Sequence, residues 1–290
     1  MTVCYFTGSG NCLYVARRIG GTLLSIPQLM RRESIEIADE AVGIVCPVYN
    51  CEMPMMVRTF LKKARIRTDY FFFVYTYGMG YGEAYAHAKL AAEDAGLSLS
   101  CVNAVQMVVI PYFDMQEQID TLPQKDVEGQ LDALCAFLAE RKTVEVKVTP
   151  ITRAQMAMYR KRLAERWLRK DTALSYIVSD SCVHCGICAK VCPANNITVT
   201  KEKVTFSDRC EVCYACLHNC PQHAIHMPLE AGDRPVSQRA CESAGYDRSE
   251  RIRRNDWPWY FDGEVKQRRH ETLFPEERKQ VCQLGANLVK

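Results

Sequence analysis

The chain has 290 residues, 48% of them hydrophobic and 24% charged, with a formal net charge of +3. That describes a folded globular protein of about two domains. It excludes a helical membrane anchor, because no apolar run reaches the ~18 residues such a helix needs. It also excludes a nucleic-acid binder built on a dense basic run. The opening "MTVCYFTGSG" lacks the basic segment and apolar core of a secretory signal, so a cytoplasmic location is expected. Sixteen cysteines in that compartment are not expected to be disulfides.

Residues 1–148 alternate between strand-like and helix-like runs. "TVCYF" (2–6) reads as a short strand, and a helix is expected over 11–24. "AVGIVCPVY" (41–49) is continuously apolar, as a buried parallel strand should be. A helix over about 54–65 follows, then a strand at "DYFFFVYTY" (69–77) and a helix at 82–96 that stops at a glycine. "CVNAVQMVVIP" (101–111) is another strand, and 123–142 another helix. This alternation predicts βαβ units and an open, doubly wound parallel sheet of five strands.

Residues 150–170 read as one amphipathic helix, with Thr152 as N-cap and Met156, Tyr159, Leu163 and Trp167 at helical spacing. Between 151 and 172 there are seven Lys/Arg and two Asp/Glu, so 149–172 is a basic linker helix. It is either a solvated surface or a complement to negative charge nearby. The tail, 229–290, carries twelve Lys/Arg and eleven Asp/Glu with few apolar runs. Irregular structure is expected there, with a short helix at 275–284.

The segment 173–228 holds an internal repeat. "CVHCGICAKVCP" (182–193) returns 28 residues later as "CEVCYACLHNCP" (210–221). Asp180 maps onto Asp208, and Ile197 onto Ile225. Cys-x-x-Cys-x-x-Cys wraps a tight loop that turns three thiolates toward one iron–sulfur cubane. The fourth cysteine points away and ligates the cluster of the other half. Cys182, Cys185, Cys188 and Cys220 are therefore expected to hold one 4Fe–4S cluster, and Cys210, Cys213, Cys216 and Cys192 a second. "ITVTKEKVTFS" (197–207) alternates like a hairpin joining the halves. Two zinc sites are the alternative, but zinc ribbons do not need a third cysteine at the same step. His184, His218, His223 and His226 replace no ligand, so they read as surface residues and Rieske chemistry is unsupported. Over about 55 residues the segment resembles the bacterial two-cluster ferredoxins. Gly186 and Tyr214 are the unlike residues at one repeat position, and Tyr214 could shield the second cluster. The remaining cysteines (Cys4, Cys12, Cys46, Cys51, Cys101, Cys135, Cys241, Cys282) read mostly as small buried hydrophobes.

"YFTGSGNCLYVARR" (5–18) runs from a strand through a small polar loop into a helix, a geometry whose free N–H groups bind an anion. With no lysine it is not a P-loop, and no Gly-x-Gly-x-x-Gly follows a strand here. "TGSGNC" resembles the flavodoxin phosphate loop at Thr7, Ser9, Gly10 and Asn11, while Cys12 stands where that family usually has a hydroxyl. The resemblance implies a flavodoxin-like fold with FMN at the carboxyl edge of the sheet. Two later loops would hold the flavin ring. Residues 47–54 offer Tyr49, Asn50 and Cys51, and residues 76–84 offer Tyr77, Gly78, Gly80 and Tyr81. The loop 110–115 would close the same edge.

The fold expected is thus an α/β flavodoxin-like domain (1–148) followed by a small α+β two-cluster ferredoxin domain. This order is similar to the EFR-family ferrodoxins of anaerobic bacteria and archaea, over roughly residues 1–228. The resemblance implies an electron carrier linking FMN and two 4Fe–4S clusters, serving redox partner proteins. An alternative is a flavin-dependent reductase of a small substrate or quinone, its pocket bordered by Tyr77, Tyr81 and Asp114. No acid–base pair stands out to support it. Another alternative is a non-catalytic iron–sulfur sensor that docks through its tail.

Overall fold

The structure, a computed structural model, describes residues 1–49, 51–78, 80–107, 122–150, 153–154, 157–158 and 176–226. Most of the expected helix over 150–170, the loop 110–115 with Asp114, and everything expected of 229–290 lie outside those residues.

The four apolar runs form parallel strands: β1 (Thr2–Tyr5), β4 (Ala41–Pro47), β6 (Tyr70–Tyr77) and β7 (Leu99–Gln106). The fifth is β2 (Thr22–Ser25), half-exposed at the sheet edge beside β1. The expected helix over 11–24 is shorter. As α1 it spans Asn11–Ile19 and ends because Gly20 and Gly21 both take positive φ, 84° and 81°. A side chain at Gly21 would also strike the Met1 carbonyl oxygen. The chain turns there and enters β2.

The strand order is β2-β1-β4-β6-β7. Numbered within the sheet this is 2-1-3-4-5, the doubly wound flavodoxin-like order, whose direction reverses between β1 and β4. A separate parallel pair, β3 (Glu36–Ala38) and β5 (Arg65–Arg67), sits outside the sheet.

Alternation along β6 loads both faces. Phe71, Phe73 and Tyr75 pack with Val57, Phe60 and Leu61 of α3 (Met55–Lys63) and the alanines of α4 (Ala84–Asp94). Short α2 (Ile26–Leu29) joins that face. Tyr70, Phe72 and Val74 face α1 and α6 (Val127–Ala139). The helix expected over 123–142 is broken into α5 (Leu122–Lys125) and α6. Asp126 sits between them at φ 44°, and its carboxylate accepts from the Gly129 N–H at 3.2 Å, capping α6. Of the scattered cysteines, Cys4, Cys12, Cys46 and Cys101 are buried, Cys51 and Cys135 half-buried, and Cys241 and Cys282 lie outside the described residues.

The second part is small. β8 (Ile177–Val178) pairs antiparallel with β11 (Ile225–His226), bringing its ends together. The hairpin read at 197–207 forms as β9 (Ile197–Val199) and β10 (Val204–Phe206). Short helices α7 (Ile187–Val191) and α8 (Ala215–Asn219) pack on each other. The core between them contains Cys188, Cys192 and Cys216 with Tyr176, Ile197 and Ile225. Among the described residues no helix is long and apolar enough to cross a membrane.

Candidate functional site

At the β1/β4 reversal the loops leaving those strands diverge and open a cleft of about 110 Å³. At ~10–15 Å³ for each water, that is room for several waters or a phosphate-sized group. Of the residues expected to bind cofactor, Thr7, Ser9, Asn11, Cys12, Tyr49, Tyr77 and Gly78 line it. Gly10 does not; it heads α1 at φ 110°, a conformation suited to glycine. Asn50 lies outside the described residues. The lining residues the sequence did not single out are Gly8, Pro47, Val48 and Thr76; Cys213 and Tyr214 also line it, and were read only in connection with the second cluster.

Local chemistry shapes the floor of the cleft. The Thr7 hydroxyl accepts from the Gly10 N–H at 2.9 Å and so tightens the loop ahead of α1. Asn11 is buried, and its Oδ1 has no hydrogen-bond partner among the described residues. A buried amide oxygen without a partner costs free energy that a polar guest would recover. Cys12 Sγ meets Thr76 Oγ1 at 3.1 Å. Burial pushes the Cys12 thiol up to about 12, so it is neutral there. Burial likewise raises Tyr49 well above the usual phenol range, with nearby Cys213 adding to the effect. Tyr49 packs edge-on to Phe6 with centroids 6.4 Å apart, and Tyr77 edge-on to Tyr81 at 5.2 Å. Behind Tyr49 the Glu52 carboxylate pairs with Arg58 and, at 3.2 Å, with His87 Nδ1. This buried group anchors the loop that carries Tyr49, because Tyr49 and Glu52 also exchange backbone hydrogen bonds at 2.8 and 3.0 Å.

The eight motif cysteines gather as two quartets. Cys182, Cys185, Cys188 and, from the second motif, Cys220 line one cavity. Burial pushes the Cys188 thiol up to about 11, and Cys185, Cys220 and Cys182 are near enough to add to it. Cys213 and Cys216 are raised by burial and then by the thiols of Cys210 and Cys192. Each fourth cysteine therefore lies with the opposite motif. Among the described residues no three His, Cys, Asp or Glu close around a single ion.

The repeat extends to backbone geometry. Positive φ recurs at the 28-residue offset: His184 and Val212 (53° and 50°), Gly186 and Tyr214 (76° and 55°), Asn195 and His223 (49° and 50°). The Asn196 N–H donates to Cys192 Sγ at 3.3 Å, and the Ala224 N–H to Cys220 Sγ at 3.3 Å. N–H donors of this kind stabilise a thiolate and tune any cluster it holds. Of the four histidines, His184, His223 and His226 are half-buried, and His184 also lines the cavity of the Cys182 quartet.

Comparison with known proteins bears on both parts. Residues 175–198 match the family model for the 4Fe–4S binding domain, which takes in the first motif and not the second. A comparison with curated proteins gave no match. Among solved structures, two-electron reduced flavodoxin from Megasphaera elsdenii is 18% identical, covering 46% of this chain and 98% of its own, with a TM-score of 0.26. A protein of Bacteroides uniformis assigned as a flavoprotein is 13% identical, covering 37% and 91%, with a TM-score of 0.30. The Trp repressor binding protein from Bacillus subtilis is 9% identical, covering 43% and 94%, with a TM-score of 0.27. The chain joins a flavodoxin-like five-stranded parallel sheet to a ferredoxin-type 4Fe–4S region.

Proposed function

We propose that this chain is an electron-transfer protein of the EFR-family type, carrying FMN in residues 1–148 and two 4Fe–4S clusters in residues 173–228. The basic segment 149–172 would link them, and 229–290 would be an extension. The observation that carries this reading is the cavity ringed by Cys182, Cys185, Cys188 and Cys220. A fourth ligand drawn from the other motif is the arrangement of two-cluster ferredoxins. The second cluster would be held by Cys210, Cys213, Cys216 and Cys192.

The residues of the cleft fit a flavin mononucleotide. The phosphate would rest at the start of α1 beside Ser9 and Asn11, with the Ser9 hydroxyl next to it, while the Gly10 N–H stays on Thr7. The partnerless Asn11 oxygen suits a sugar-alcohol hydroxyl. Tyr49, Asn50, Tyr77 and Gly78 would flank the ring. Bound flavin exchanges one or two electrons and each cluster one, which lets a single chain divide or pool an electron pair. The protein's part is to bury the centres, exclude water and set N–H donors on sulfur. The donor and acceptor would be separate redox proteins.

The test is anaerobic purification followed by assay of iron, acid-labile sulfide, zinc and released FMN. About eight irons, as two four-iron clusters require, and one FMN per chain is the expected result. Zinc in place of iron would sink the reading.

A further inference from the structure

The two quartets stand differently toward the cleft. Cys213 and Tyr214 line it, and no residue of the Cys182 quartet does. Three further contacts join the two parts. Gly8, in the first loop, is pressed against Cys213 so closely that a Cβ there would strike the Cys213 carbonyl oxygen. The Glu211 carboxylate accepts from the Met56 N–H at 3.1 Å and also meets the Met55 N–H. Arg31 Nη2 donates to Asn195 Oδ1 at 2.9 Å. All of these residues of the second part lie within three positions of a cysteine of the Cys210 quartet. Cys213 also packs on the main core of the sheet domain.

Glu211 is the informative member. The first turn of α3 has no cap of its own, because Pro54 stands at the N-cap and has no side chain able to accept. Its free N–H groups and positive dipole end favour a carboxylate. That carboxylate comes from 155 residues away in sequence, from the loop between Cys210 and Cys213. Helix α3 follows the loop bearing Tyr49. The contact therefore fixes the second quartet against both cleft loops: Gly8 on one side, α3 on the other.

We propose that Glu211 is a positioning residue that latches the Cys210/Cys213/Cys216/Cys192 cluster onto the flavin cleft. This cluster is then the flavin's direct redox partner, and the Cys182 cluster is the port to outside proteins. With both groups bound, each transfer would move one electron from the reduced flavin to the adjoining cluster. No bond forms between them, and any proton released goes to solvent. The inference rests on the function proposed above.

The test compares wild type, Glu211→Ala and Glu211→Gln as anaerobic holoproteins. Three quantities are read: iron and flavin content, the single-turnover rate of flavin-to-cluster transfer, and hydrogen exchange at the Met55 and Met56 amides. Losing a hydrogen bond to a half-buried carboxylate is expected to slow transfer by about tenfold in Glu211→Ala, with cofactor content retained. Exchange at Met56 should rise by a similar factor. Gln keeps an acceptor oxygen and should restore both to within about threefold. An unchanged transfer rate in Glu211→Ala, or unchanged Met56 exchange, overturns the proposal. A protein that binds no flavin sinks the electron route together with the function above, while Met56 exchange still decides whether the latch exists.

Discussion

Cys12 Sγ lies 3.1 Å from Thr76 Oγ1, linking the first turn of α1 to the carboxyl end of β6 in the floor of the cleft. A thiol there is only a weak donor, and it shares its contact with a threonine hydroxyl that can itself donate. A hydroxyl could keep the Thr76 contact and still donate toward a phosphate. Cys12→Thr should therefore tighten FMN binding about fivefold, the worth of roughly one neutral hydrogen bond. Titrating the apoprotein with FMN while following flavin fluorescence measures it. Weaker binding would mean that the added methyl, or loss of the sulfur, matters more than the donor.

The same burial gives the sheet domain an alkaline weakness. Cys4 and Cys12 are each raised from 9.0 to about 12 by burial. Below pH 9 both states of the chain hold the proton, and the stabilisation is complete. Between pH 9 and 12 the unfolded chain ionises and the folded one cannot, so stability falls by about 1.4 kcal/mol per pH unit for each thiol. Denaturant unfolding at pH 8, 9.5 and 10.5 should show this slope. Cys4→Ala should lower the stability at pH 8 and flatten the slope; an unaltered slope would refute the assignment.

Phe72 and Gly43 are paired across β4 and β6, and the ring occupies the space where a Gly43 side chain would stand. Gly43→Ala should cost about 1–3 kcal/mol by overpacking. Phe72→Leu in the same chain should recover part of that loss, which a double-mutant cycle in urea would detect. Additive effects would show that the two positions do not compete for one space.

These cases mark what could be read in advance. The strands β1, β4, β6 and β7 are buried on both faces, so each is a continuous apolar run and can be recognised alone. β2 escaped because "TLLS" is a half-exposed edge of four residues placed just after two glycines. The polar loop at 7–12 was legible because anion binding needs a local geometry with a local composition. Gly8 and Glu211 were not, since their roles depend on a meeting of segments far apart in sequence, 155 residues in the case of Glu211. The cysteine spacing could be read as a ligand pattern because cluster ligation is periodic along the chain.

Gly186 and Tyr214 occupy one repeat position and share a left-handed backbone, at φ 76° and 55°. Among the described residues, nothing lies within 4 Å of where a Gly186 side chain would stand. Gly186→Ala therefore adds backbone strain without a clash, about 1–2 kcal/mol. The expected readout is faster loss of the first cluster to a chelator, with the second unaffected. Equal loss from both would mean that the halves unfold as one unit.

The crossed quartets make the strongest demand on the second part. If each motif held its own four cysteines, Cys182→Ser and Cys192→Ser would damage the same cluster. In the arrangement found here, Cys220 accompanies Cys182, Cys185 and Cys188, and Cys192 adjoins Cys210, Cys213 and Cys216. Cys182→Ser should therefore share its phenotype with Cys220→Ser, and Cys210→Ser with Cys192→Ser. Electron paramagnetic resonance of the reduced proteins separates the cases. A lone remaining cluster has a simple spectrum, whereas two close clusters couple magnetically. Each variant should retain about four irons, one cluster of the two. The Cys192 and Cys210 variants should also lose flavin-to-cluster transfer, because the cluster they disturb is the one whose Cys213 lines the cleft. A Cys192→Ser protein that matched Cys182→Ser in spectrum and in transfer would overturn the crossing.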